Sequence, residues 1–204
     1  MSDPEQLVTT EKKWWEIKDG EYQEWYNSGQ LKASEFYRDG KVHGEYKRWY
    51  ENGQLWSRRF FRDGESEGEY KSWFRDGQLS VQEFYQDGHL EGESKAWYPN
   101  GQCLDDEFYL NGKLEGNRER WHFNGKSWRR EFYRNGFLEG ERKTWNEDGY
   151  LEDDAYFRNN REIYKFTRQK MRNIVQMKHH IRPRKYHHIQ PFLIPDLANI
   201  ISHI

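Results

Sequence analysis

The sequence has little of what secreted, membrane-spanning and catalytic proteins depend on. It contains one cysteine, Cys103, so no internal disulfide can form, and an intracellular, reducing compartment is expected. No apolar run is long enough to span a bilayer, and residues 1–20 are too polar for a signal peptide. We expect a protein that is neither secreted nor membrane-spanning.

Catalytic motifs are also missing. No glycine-rich phosphate loop follows a predicted strand, and no serine sits in a nucleophile elbow. Neighbouring carboxylates such as Asp105 and Asp106 would point to opposite faces of a strand and form no shared site. Two histidine pairs, at 179–180 and 187–188, could ligate zinc or copper, or could be exposed residues of a basic segment. We expect no enzyme activity, no cofactor and no metal.

Aromatic residues are abundant, at 18%, and they recur with a fixed step of 24 residues. A glycine returns at this step in six copies, and a tryptophan follows it five positions later each time. A period of this length predicts a stacked array of one supersecondary unit, in which these positions are structural. They are Gly20, Trp25, Gly44, Trp49, Gly68, Trp73, Gly92, Trp97, Gly116, Trp121, Gly140 and Trp145.

Each copy carries the signals of a β-hairpin. In the second copy, Asn52 with Gly53 and Asp63 with Gly64 lie between runs of Trp, Tyr and Phe. Glycine supplies the positive φ angle that a tight turn needs. The sequence therefore predicts an all-β fold: an elongated single antiparallel sheet of tandem hairpins, with six 24-residue repeats and about twelve strands.

The face of the sheet on which each ring lies depends on the turn. A two-residue turn at Asn52 and Gly53 would place Trp49 opposite Trp56, whereas a one-residue bulge would invert half of the assignment. The prediction without a bulge pairs Tyr50 with Leu55. It puts Trp49 and Phe60 on one face, and Tyr46, Tyr50, Leu55 and Phe61 on the other.

Two adjacent positions vary while the backbone pattern repeats. They start at Ala33 and Ser34 and become paired charges in later copies, such as Arg129 and Arg130. Either a partner recognises these charged stripes, or they are a solvated face.

The order Gly-Glu-Tyr-x-x-Trp-Tyr-x-Asn-Gly, followed by an aromatic pair and Asp-Gly, resembles the MORN repeat (membrane occupation and recognition nexus) in its longer variant. The resemblance covers roughly residues 20–160 and implies a scaffold of successive hairpins without catalytic residues. Such proteins accompany enzymes, cytoskeletal factors and membrane-organising factors. They also occur as bacterial antitoxin-like proteins and in large DNA viruses.

The net charge of −2 hides an asymmetry that marks a boundary. Residues 161–204 hold nine Lys or Arg and two acids, a net of +7, which leaves −9 for residues 1–160. We predict a flexible leader over 1–13, a repeat array over 14–160 and a basic, partly helical extension over 161–204. Trp14, Trp15 and Ile17 suggest an extra strand at the first edge of the array.

The extension contains two candidate helices. The first starts at Arg161, with Ile163 and Tyr164 on its apolar face. The second starts at Pro195, and it either covers the final strand or inserts into a partner or a second copy. A cap, an acidic protein partner and anionic lipid are all compatible with the basic residues. The candidate basic residues are Lys165, Arg168, Lys170, Arg172, Arg182, Arg184 and Lys185. The apolar stripe of the second helix is Leu197, Ile200, Ile201 and Ile204.

Three functions are compatible with these features. The first is a non-enzymatic scaffold that binds an unidentified protein and could self-associate, with a viral structural or host-interaction role if the source is a virus. The second is a peripheral membrane module that binds anionic lipid through the basic extension. The third is an antitoxin-like binder. Nucleic acid ranks last among the partners considered.

Overall fold

A computed structural model describes residues 19–166, which form one antiparallel sheet of 18 strands. No helix occurs in this range, and no pairing joins its first strand to its last, so this part of the sheet is open. The predicted all-β fold is therefore confirmed. The leader, the extra strand at Trp14, Trp15 and Ile17, and the helix at Leu197 lie outside the described residues.

Each repeat contributes a six-residue strand and an eight-residue strand. The six-residue strands are β1 (Gly20–Trp25), β4 (Gly44–Trp49), β7 (Gly68–Trp73), β10 (Gly92–Trp97), β13 (Gly116–Trp121) and β16 (Gly140–Trp145). The eight-residue strands are β2 (Leu31–Arg38), β5 (Leu55–Arg62), β8 (Leu79–Gln86), β11 (Cys103–Leu110), β14 (Ser127–Arg134) and β17 (Leu151–Arg158).

Shorter strands raise the number above the predicted twelve. Five two-residue strands lie in the return connections, and a six-residue strand, β18 (Arg161–Phe166), follows β17. The two-residue strands are β3 (Lys41–Val42), β6 (Glu65–Ser66), β9 (His89–Leu90), β12 (Lys113–Leu114) and β15 (Phe137–Leu138). The long strands pair in chain order, from β1 with β2 and β2 with β4 to β17 with β18.

The first turn of each hairpin differs from the prediction. In the second repeat, Tyr50 N donates to Gln54 O and Gly53 N donates to Tyr50 O, which closes a three-residue loop. Trp49 pairs with Leu55 rather than Trp56, and a β-bulge follows. The predicted two-residue turn is wrong because the loop includes the residue before the Asn-Gly pair.

The second turn is the tight turn that Asp-Gly indicates. Asp63 and Gly64 both have positive φ angles, of 49° and 91°, and connect Arg62 to Glu65. Positive φ at both central positions defines a type I′ turn, whose twist matches that of the flanking strands. The same turn recurs in the other repeats, with Asn in place of Asp from Asn111 onwards.

The bulge decides which side chains share a face. Because Trp49 lies opposite Leu55, the prediction that Leu55 lies with Tyr46 is wrong. Trp56 instead lies beside Arg48 and Tyr50. We call one side of the sheet the tyrosine face, which in the second repeat carries Tyr46, Arg48, Tyr50, Trp56, Ser57, Arg59 and Phe61. The opposite side, the tryptophan face, carries Glu45, Lys47, Trp49, Leu55, Arg58 and Phe60.

Burial within this single layer is partial. No large side chain of residues 19–166 is fully buried. The most enclosed group lies near the last repeats, where Leu138, Ala155 and Phe157 pack together with Tyr133 against them. Most aromatic rings are half-buried against their neighbours in the sheet, as expected for rings that cover one another.

The last described strand corrects the predicted helix. Residues 161–166 pair with β17 as strand β18, so the helix that was predicted to start at Arg161 is wrong for this segment. Tyr164 stands 24 residues after Gly140, where every earlier repeat has glycine. Residue 164 pairs with Tyr156 in β17, and the pairing of β17 with β18 has one register shift, between Tyr156 and Phe157.

Gly64→Ala tests the left-handed turn. An added Cβ would meet Lys41 at ordinary contact distance, so the cost arises from the φ of 91°. We expect a loss of about 1–2 kcal/mol in the free energy of unfolding, measured by urea denaturation. Glu51→Ala, in the neighbouring loop, is the control and should change it little. An equal effect of both variants would contradict the conformational explanation.

Candidate interaction surfaces of the sheet

Consecutive repeats are joined by side chains that reach the next hairpin. Tyr50 Oη donates to Trp73 O at 2.9 Å, and Tyr26 and Tyr98 make the same bond 23 residues along. His122 Nε2 lies 2.7 Å from Trp145 O, so the histidine that replaces tyrosine keeps this contact. The ladder has a gap at Phe74, which has no hydroxyl.

Turns also stack directly on turns. Gly64 N donates to Val42 O, and Gly88, Gly112 and Gly136 repeat this bond. At the other end of the hairpins, a Cβ on Gly77 would lie 2.5 Å from the Gln54 amide, because the glutamine of one repeat packs on the glycine of the next. These glycines therefore also make room for a neighbour.

In five of the six repeats a carboxylate binds the second turn, and in the second repeat Asp63 N donates to His43 Nδ1 instead. Glu91 accepts a hydrogen bond from Asn111 N, and Glu115 accepts one from Asn135 N. The same hydrogen bond is accepted by Asp19, Glu67 and Glu139 in their own repeats. These acids lie immediately before the repeat glycine and satisfy a backbone donor that the turn leaves without a strand partner.

On the tyrosine face, glutamate and tyrosine occur as pairs. Tyr85 Oη donates to Glu83 at 2.7 Å, and Tyr109 Oη donates to Glu107 at 2.8 Å. Burial and the bond to Glu83 raise the pKa of Tyr85 to about 12. Where the glutamate position holds Arg59 or Ala155, the tyrosine becomes phenylalanine. The hydroxyl is thus present only where it has an acceptor.

In later repeats, charged side chains at the position of Ala33 bind other charged side chains of the sheet. Arg118 Nη2 lies 2.8 Å from Asp105 and also contacts Glu107, while Arg120 lies 3.1 Å from Asp105. Asp105 and Arg118 are both about 20% exposed. Burial raises the pKa of Glu107. The charges of the two arginines lower it, but the effect of burial is larger. Asp105 therefore joins the fourth and fifth repeats, and its charge is paired within the sheet.

The tryptophan face carries most of the exposed apolar side chains. Phe36, Phe84 and Phe108 are 41–49% exposed, and Trp25 is 45% exposed. The phenylalanines form one row across the strands, and the repeat tryptophans form a second row. The rows repeat once every two long strands, a distance of about 9.4–9.8 Å.

Ion pairs fill the strip between the two aromatic rows. Lys47 lies 2.6 Å from Glu45, Lys71 lies 2.6 Å from Glu69, and the bond to Lys71 lowers the pKa of Glu69. Six cations and six carboxylates share this network. The other pairs are Arg58 with Glu69, Lys95 with Glu93 and Asp106, Arg130 with Glu119, and Lys143 with Glu141.

The structure describes one member of the predicted basic cluster. Lys165 lies on β18 and its Nζ is 2.8 Å from Asp153 Oδ1. Arg142 Nη2 lies 2.7 Å from the other oxygen of Asp153. Lys165 therefore ties the last strand to the array. Arg168, Lys170, Arg172, Arg182, Arg184, Lys185 and the helix residues Leu197, Ile200, Ile201 and Ile204 lie outside the described residues.

Other sequence features give no site in the described range. Asp105 and Asp106 lie on opposite faces, as predicted, with Arg118 and Lys95 respectively. Burial raises the pKa of the Cys103 thiol. Residues 19–166 contain no group of three or more His, Cys, Asp or Glu placed to hold a metal. In the same range, no helix could cross a membrane.

The side-chain contacts were not predicted, although the sequence contained a signal for the contact between the glutamate and the tyrosine two residues apart on one strand. The copies vary together at two positions: Glu35 with Tyr37 and Arg59 with Phe61. Such paired variation within one chain indicates a contact. The acid before five of the six repeat glycines has no comparable signal, because the amide that it binds belongs to the backbone.

Substitutions at the tyrosine ladder should change stability in opposite directions. Phe74→Tyr adds a donor facing Trp97 O, and we expect a gain of about 0.5–1.5 kcal/mol in the free energy of unfolding. Tyr50→Phe removes such a donor and should lower it by a similar amount. Urea denaturation measures both, and a loss in the Phe74→Tyr variant would contradict the ladder.

Removing the charge of Asp153 and removing the charge of Asp154 should change the free energy of unfolding in opposite directions. Burial alone would raise the pKa of Asp153, but Lys165 and Arg142 outweigh it and the net pKa is lowered. Its stabilising effect is present above the unfolded-state pKa near 3.8 and is lost as pH falls through the lower folded value. Burial raises the pKa of Asp154, so its charge is unfavourable at pH 7.

We therefore expect Asp153→Asn to lower the free energy of unfolding at pH 7 by about 1 kcal/mol. Asp154→Asn, the matched control, should leave it unchanged or raise it. Urea denaturation between pH 3 and 7 measures both, and the Asp153→Asn difference should shrink towards pH 3. A difference that stays constant with pH would refute the role of the charge.

Comparison with known families agrees with this geometry. The MORN repeat variant matches residues 18–39, 42–63, 66–87 and 90–103. No curated protein matches the chain. The hairpin, its bulge and its type I′ turn continue with the same 24-residue step through the fifth and sixth copies, to β17. These four tandem matches support a MORN-repeat protein of the variant type.

Proposed function

We propose that this chain is a non-enzymatic scaffold that binds a protein partner through the tryptophan face. The observation that carries the proposal is the row of phenylalanines at Phe36, Phe84 and Phe108, each more than two-fifths exposed. No described element covers this face. Contiguous exposed apolar surface marks interaction sites, and aromatic side chains contribute much of the energy at protein interfaces.

The two faces differ in a way that favours this assignment. On the tyrosine face, hydroxyls, carboxylates and arginines bind one another between strands, as in the contacts of Asp105. On the tryptophan face, the ion pairs lie between aromatic rows that remain accessible. Family membership supports a repeat scaffold without catalytic residues.

A second candidate rests on the charge of +7 over residues 161–204. Binding of anionic lipid would use the basic residues beyond β18, because Lys165 is engaged by Asp153. This function predicts that liposome binding rises with anionic lipid content, weakens with salt and disappears when residues 168–204 are removed. Residues 161–166 stay in the truncated chain since they complete the sheet.

Affinity purification from the native source tests the scaffold. We expect a defined partner to bind the full chain, and Phe84→Ala with Phe108→Ala to weaken its binding at least about tenfold. Trp56→Ala removes an exposed ring from the tyrosine face and is the matched control. Equal loss in the control would contradict the choice of face. Binding that needs residues 168–204 and anionic liposomes would favour the membrane function instead.

A further inference from the structure

We propose that the tryptophan face binds a proline-rich segment in the polyproline II conformation, laid across the strands with one turn on each repeat. The inference rests on the proposed function of this face and names the chemistry of its partner. Three properties of the face carry it: the spacing of its rings, its free hydrogen-bond donors and its small net charge.

The spacing of the rows matches a polyproline II helix. Each repeat adds two long strands, so equivalent rings lie about 9.4–9.8 Å apart. A polyproline II helix has three residues per turn and rises about 9.3 Å per turn, so every third residue faces the same side. An α-helix returns to the same side after seven residues, about 10.5 Å. Over four repeats, the mismatch between the spacing of the rings and the rise of the helix is therefore smaller for polyproline II than for an α-helix.

The tryptophan row supplies hydrogen-bond donors for which no described residue is the acceptor. The indole N–H groups of Trp25, Trp49, Trp73, Trp97, Trp121 and Trp145 donate to no residue within 19–166. None of these nitrogens is a buried atom without a partner. The backbone of a polyproline II helix forms no internal hydrogen bonds, so its carbonyls are free acceptors. Grooves lined by aromatic side chains bind such segments.

The charge of the strip does not favour an anionic partner. Six cations and six carboxylates of the strip pair with one another, for example Lys47 with Glu45 and Lys143 with Glu141. The strip also holds Glu21 and Asp154, which leaves it a net charge of −2, so it does not attract an anionic surface. Proline carries no charge and no backbone donor, and a proline-rich segment loses little conformational entropy on binding.

Fluorescence anisotropy of labelled peptides with the full chain tests the proposal. The probes are oligoprolines of 6, 9, 12 and 15 residues, and Gly-Ser peptides of the same lengths are the controls. We expect the affinity to rise with each added turn of three prolines, and the Gly-Ser peptides to bind at least about tenfold more weakly. No binding of the 15-residue oligoproline at about 1 mM, or equal binding of both series, would overturn the proposal.

Indole donors are tested by Trp73→Phe and Trp97→Phe, which keep a ring and remove the N–H. Each should weaken oligoproline binding about two- to tenfold. Trp56→Phe on the tyrosine face should leave it unchanged. Circular dichroism verifies that all three variants keep the sheet. Unchanged binding in Trp73→Phe and Trp97→Phe, or equal loss in Trp56→Phe, would refute this site.

The outcome separates this inference from the proposed function. If oligoproline does not bind, but Phe84→Ala with Phe108→Ala still releases a native partner, the scaffold stands and the polyproline inference is wrong. If the Phe variants also leave a native partner bound, the proposed function of the face is wrong as well.

Discussion

A sheet of one layer has no interior, and this constraint explains most of the structure. Side chains on either face can be covered only by neighbours along the sheet, which is why the largest rings are half-buried and none is fully enclosed in the described range. Large aromatic rings bury much area without a second layer, which accounts for an aromatic content of 18%. Stability then depends on the contacts between neighbouring hairpins.

Those contacts are of several kinds, and each repeats with the step of the chain. Tyrosine hydroxyls reach the carbonyl at the end of the next first strand, and turn glycines donate to the preceding return connection. Glutamine side chains lie on the following loop. On the tyrosine face, charged groups such as Asp105 and Arg118 add links that differ between repeats. Uniform backbone geometry thus coexists with links specific to each junction.

The β-bulge next to each first turn makes the two faces different. It places Leu55 opposite Trp49 and sends Trp56 to the tyrosine face beside Arg48. As a result, Trp56 adds a ring to the tyrosine face, and Leu55 lies beside the repeat tryptophan on the other face. At the end of the array, Lys165 holds β18 against Asp153, in a strand that lacks the repeat glycine.

Much of this architecture could be read from the residues, because turn chemistry and spacing are local. The 24-residue step, the Asp-Gly turns and the alternation along strands predicted the tandem hairpins and the opposite directions of Asp105 and Asp106. The prediction was wrong where one residue changed the register: the loop around Gly53 has three residues, so Leu55 changed face. The helix predicted to start at Arg161 was wrong because residues 161–166 pair with β17 as a strand.

The sequence by itself determined the repeat unit, its hairpin and its resemblance to the MORN repeat, since positive φ at glycine and periodic aromatics act within a few residues. Only the tertiary structure decided the face of each ring and the partner of each charge. Those depend on register and on residues about 20 positions away. The three-residue loop and the bulge together exchange the faces of Leu55 and Trp56, while Phe60 and Phe61 keep the predicted faces.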